Sequence, residues 1–157
     1  MANETAATLL MKLVAQPVFR EGTRPLGAKA AVAIQVDNDH FTLVKSEEGP
    51  CVRLGAPAKP DITFSLPLVS LEKLTQSDLT DIATTGISIL KLMLDSDPKL
   101  RASAKVHIGL FDLMRLGYLS VLPLGGAPMV RFLAAHGFNG VGKIKEAISK
   151  LKDTDGR

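Results

Sequence analysis

Three histidines, one cysteine and one glycine-rich loop are the first groups in this chain to weigh as possible sites of chemistry. His40, His107 and His136 stand far apart, and none has a carboxylate or thiolate at the spacing of a metal site. Cys51 has no second cysteine to pair with and no helix start or basic partner beside it to favour the thiolate, so an inert thiol is expected. No serine sits in a Gly-x-Ser-x-Gly elbow. Gly137-Phe138-Asn139-Gly140-Val141-Gly142-Lys143 has the spacing of a phosphate-binding loop. Such a loop needs Ser or Thr next, to hold magnesium, and a strand before it. Here Ile144 follows and a helical pattern precedes. A helix stop at Gly137 and a new helix start explain the glycines better. No catalytic residue, metal site or cofactor is therefore expected, and the chain does not read as an enzyme.

Charge narrows the partners. The net charge is +3, and the positive residues are scattered apart from Lys143, Lys145, Lys150 and Lys152, with a looser group at Phe19, Arg20 and Arg24. A nucleic-acid binder usually carries a basic stripe with aromatic or polar readers, so no nucleic-acid partner is expected. No apolar run approaches the roughly 20 residues of a membrane span, and Met1 to Gln16 does not read as a signal peptide. With a single cysteine, a reducing compartment fits, and the cytoplasm is the expected location. The 157 residues suit one domain.

The elements that would position any site follow from periodicity. Leu9, Leu10, Leu13 and Val14 form a helical stripe over about 4–15, which Pro17 ends. Residues 22–27 read as a loop. Four short strands follow at 29–36, 40–45, 51–54 and 61–66, separated by turns at Asp37-Asn38-Asp39, Glu47 to Pro50 and Gly55 to Pro60. They read as an antiparallel meander. The period then changes. Pro67 opens a short helix over 67–75, and Ser77-Asp78 reads as the cap of a longer one at about 78–94. Gly86 in its middle marks a close approach of a neighbour or a pocket that needs room. A fifth strand is expected over 102–108, an apolar helix over 110–122, a break at Pro123 to Pro128, and helices at 129–136 and 141–151.

The helices at 78–94 and 110–122 are apolar over more than half their circumference. The surplus includes Ile87, Leu92, Met93, Phe111, Met114, Leu116, Leu119 and Leu122. A helix apolar all round must be covered on several sides. Tight packing, a cavity or a partner interface would each supply that cover.

The order of elements resembles the sterol-carrier-protein type 2 lipid-transfer domain. The matching residues are Asp61 and Thr63 in the fourth strand and Lys105 and Gly109 around the fifth, and the resemblance covers roughly 27–120. It implies an α+β fold: a five-stranded, mainly antiparallel sheet covered on one face by helices, with an apolar tunnel between. It also implies partition of an apolar ligand, such as a fatty acyl chain or a sterol, into that tunnel. Ile87, Leu90, Met93, Phe111, Met114 and Leu119 combine excess apolarity with the family's tunnel helices and are the expected lining. The alternative is a protein-interaction or homodimerisation module that uses the same apolar helices without a ligand. A C-terminal helical extension at about 128–152 reads as a lid over the tunnel's end. The sharper form is a gate whose lysines make transient contact with an anionic membrane surface.

Overall fold

The computed structural model describes residues 2–47, 49–77, 79–120, 124 and 126–137. The described elements run α1 (Ala2–Val14), α2 (Pro17–Gly22), β1 (Ala31–Val36), β2 (Asp39–Ser46), β3 (Gly49–Leu54), β4 (Ile62–Leu66), α3 (Leu68–Thr75), α4 (Ile82–Met93), β5 (Ser103–Val106), α5 (Leu110–Arg115) and α6 (Gly126–Ala135). The expected helix over 141–151 and the lysines at 143–152 lie outside the described residues.

The strands form one five-stranded sheet in the order β3-β2-β1-β4-β5. Strands β1, β2 and β3 are joined by antiparallel hairpins, but β4 lies parallel to β1 on its other side. The four strands are therefore not a simple meander. The chain leaves β3 and crosses by residues 55–61 to the far edge of β1. Local turn chemistry cannot show this, because the partner of β4 is set by non-local pairing.

Register explains which face is buried. Val52, Leu43, Val32, Ile62 and Val106 lie side by side across all five strands, and the next row is Leu54, Phe41, Ile34, Phe64 and Ala104. The opposite face carries the row Arg53, Thr42, Ala33, Thr63 and Lys105. One face is thus apolar and must be covered, while the other is more polar and is buried only in its middle, at Ala33 and Thr42. Ala6, Leu10, Leu13 and Val14 of α1, with Leu71 and Leu74 of α3, meet Ile34, Val36, Phe41, Val52 and Leu66 in the core. From α4, Ile89, Leu92 and Met93 pack against the same cluster.

Several boundaries moved for physical reasons. Pro17 ends α1 and also opens α2, where its missing N–H costs nothing. Helix α4 begins at Ile82, because the Asp81 carboxylate accepts from Thr84 N at 2.7 Å and from the Thr84 hydroxyl at 3.0 Å. The apolar run after Gly109 is helical only to Arg115, because Gly117 turns left-handed at φ +92°. Helix α6 starts at Gly126, before the Met129 that sequence pattern marks, and ends in a turn at Gly137 as expected.

Gly86 admits a neighbour. A Cβ there would stand 2.2 Å from Cε of Met129, which is buried on α6. At Gly117 the obstacle is backbone: a Cβ would stand 2.0 Å from the carbonyl oxygen of Pro25. The two glycines should respond differently to a methyl group. Gly117→Ala is expected to cost about 3 kcal/mol or more, from positive φ plus a clash that cannot relax. Gly86→Ala is expected to stay within about 1 kcal/mol of the parent, because the Met129 methyl can swing aside and alanine favours helix. Chemical denaturation of both variants checks the contrast.

Candidate functional site

Asp61 is buried just before β4, and its hydrogen bonds tie the turn after α5 to the sheet. Its Oδ2 accepts from the Ala31 N–H at 2.9 Å and from the Tyr118 hydroxyl at 2.7 Å. Its N–H donates to the Ala31 carbonyl at 2.9 Å, and its carbonyl accepts from His107 N at 2.9 Å. Thr63 and the His107 ring share a 2.7 Å hydrogen bond between Oγ1 and Nε2. The residues that carried the family resemblance therefore converge: Thr63 faces Lys105 in register, and Gly109 precedes α5 as its cap. Around the same junction Gly27 N donates to the Leu116 carbonyl at 2.9 Å, and Lys45 Nζ donates to the carbonyls of Arg24 at 2.5 Å and Leu26 at 2.8 Å. The cluster pins α5 and the 24–27 loop to β1, β2 and β4. A threonine beside a histidine is a nucleophile-base pair in form. Here Thr63 in β4 stands opposite Lys105, His107 follows β5 with its N–H on the Asp61 carbonyl, and the neighbouring carboxylate already accepts from two donors.

The apolar half of the site is α4 and α5. On α4, Ile87, Leu90 and Met93 are half-buried, as are Ile82, Ile89 and Leu92. On α5, Phe111 is 76% exposed and Met114 57% exposed, three residues apart on one outward face. Leu119 is half-buried in the turn beyond Tyr118. The structure brings Met93 onto the core with Ile89 and Leu92, and it pairs Phe111 with Met114 on the outside. Sequence reasoning missed Tyr118. The glycine before it, inside an otherwise apolar run, is the signal that could have found it.

The remaining polar candidates are dispersed. His40 is exposed on β2, and His136 Nδ1 contacts the Phe132 carbonyl at 2.9 Å. Cys51 is half-buried on β3. Among the described residues no group of three His, Cys, Asp or Glu side chains could hold a metal ion, and no helix is long and apolar enough to cross a membrane.

The class defined by this architecture is an α+β protein whose five-stranded mixed sheet keeps an apolar face beneath helices. No protein-family model matches the chain, and no curated protein does. Among solved structures, a UbiJ-SCP2 ubiquinone synthesis protein is similar to it at 15% identity and a TM-score of 0.44, over 76% of this chain and 87% of that chain. At this identity the likeness assigns no site residue and no ligand.

Removing the Tyr118 hydroxyl takes one of two donors from a buried carboxylate. Tyr118→Phe is expected to cost about 2 kcal/mol in denaturant unfolding. Burial first, then the hydrogen bond to Asp61 and its negative charge, raise the Tyr118 hydroxyl well above its ordinary pKa of 10.0. The folded chain therefore keeps a proton that the unfolded chain releases above that value. The stability tied to this proton is complete below pH 10.0 and is lost as pH rises further. Stability curves of the parent should fall faster in that alkaline range than those of Tyr118→Phe.

Proposed function

We propose that this protein binds an apolar small molecule, a lipid or a molecule like one, between the apolar face of its sheet and the helices above it, and does no covalent chemistry on it. One observation carries the reading. Helix α4 bears Ile82, Ile87, Ile89, Leu90, Leu92 and Met93, yet every one of these side chains is only half-buried. A helix this apolar gains from further cover, at roughly 0.8 kcal/mol for each methylene removed from water. Partition alone would then supply the affinity. An enclosed tunnel is the form that the family resemblance favours. A cytoplasmic site of action, with brief contact at a membrane surface during loading, fits the same reading.

A second reading has its own observation. Phe111 and Met114 stand together on the outward face of α5, where a partner or a second copy of the chain would cover them. Native mass spectrometry after mild purification separates the two. The ligand reading expects a monomer carrying the added mass of a single lipid, lost on organic extraction and regained with added fatty acid or sterol. A doubled mass with no adduct, and no uptake of either lipid, would replace it with the dimer.

A further inference from the structure

Four polar or charged side chains are buried among the described residues: Thr42, Asp61, Ser70 and Thr85. Three have partners. The Thr42 hydroxyl donates to the Gly55 carbonyl at 2.7 Å, the Ser70 hydroxyl to the Leu100 carbonyl at 2.5 Å, and Asp61 accepts from two donors. Thr85, only 5% exposed, is the exception: its Oγ1 has no hydrogen-bond partner.

The usual escape for a helical threonine is to donate to the carbonyl four residues back. On the same helix Ser88 does so, reaching the Thr84 carbonyl at 2.9 Å. The Asp81 carbonyl that Thr85 would use receives only the Thr85 backbone N–H, at 3.1 Å. Thr85 also lies on the inward face of α4, one turn before Ile89 and two before Leu92, both packed on the core. Its hydroxyl is therefore buried without a partner, and an unmet hydrogen bond in an interior is costly.

We infer that the Thr85 hydroxyl is the polar anchor of the binding site, and that the bound molecule carries one neutral hydrogen-bonding oxygen, a hydroxyl or a carbonyl, that meets it beneath α4. This rests on the apolar-ligand reading above and names the class of molecule. The neutrality follows from the charges. The charged residues of α4 and its cap, Lys91 and Asp81, are exposed. The single buried charged group among the described residues is Asp61, an anion already satisfied. Among the described residues no buried cation is on hand to offset a carboxylate, which would be expensive to bury alone. The neighbouring residue, Gly86, leaves the space that the Met129 side chain now fills from α6. An unbranched thioether is a side chain that repacks readily around a guest.

The test compares three probes with one tail: pyrenyldodecanol, pyrenyldodecanoate and the hydrocarbon dodecylpyrene, titrated by fluorescence. The parent protein is expected to hold the alcohol about tenfold more tightly than the hydrocarbon, the worth of one hydrogen bond. The carboxylate should be the weakest of the three. Thr85→Val keeps the shape and removes the oxygen, so the alcohol should fall to the level of the hydrocarbon. Thr85→Ser keeps the oxygen and should retain the preference. Thermal unfolding should show Thr85→Val melting at or above the parent, since an unpaired oxygen has gone. Equal binding of alcohol and hydrocarbon by the parent would overturn the inference, as would a preference that survives Thr85→Val. Either is what a water molecule on Thr85 would produce, with apolar binding left standing. Tightest binding of the carboxylate would overturn the neutral class. Failure to hold any probe, the hydrocarbon included, would instead defeat the apolar-ligand reading itself.

Discussion

A buried carboxylate is tolerated only if donors meet it, and Asp61 meets two from distant parts of the chain. The Ala31 N–H aligns β1 against the start of β4, and the Tyr118 hydroxyl ties in the turn after α5. Remove either donor and the charge is left partly unpaired in a dry place. The parallel pairing of β1 with β4 and the seating of α5 therefore share one electrostatic constraint. Gly117 serves it too: only its left-handed turn, close against Pro25, lets Tyr118 come back to the sheet.

On that frame, the amphipathic sheet decides where apolar surface can go. Alternation sends Val, Leu, Ile and Phe to one face in rows that run from edge to edge. Helices α1 and α3 bury themselves in those rows. Helix α4 shares the same cover but has apolar residues left over on its flanks, and α5 turns Phe111 and Met114 outward. The contrast between a satisfied polar junction at Asp61 and an unsatisfied hydroxyl at Thr85 separates the two halves of the molecule.

Much of this was legible in the residues. The five strands, the change to helical period after Leu66, the stop at Gly137 and the apolar excess of α4 and α5 all follow from spacing and turn chemistry, which act over a few residues. Gly86 announced a close approach or a pocket, and it proved to be the approach of Met129. Asp61, Thr63, Lys105 and Gly109 entered only as residues that match the family's pattern, and nothing local told what Asp61 would hold.

What the residues alone determined was the alternation that makes one sheet face apolar, the helical stripe of α1, and the surplus of apolar residues over 78–94 and 110–122. Only the tertiary structure decided that β4 runs parallel to β1, that Tyr118 closes on Asp61 from fifty-seven positions away, and that Thr85 is left without a partner. The physical reason is the range of the interactions. Propensity and periodicity are properties of neighbouring residues, whereas the satisfaction of a buried polar group depends on which distant segments fold against it.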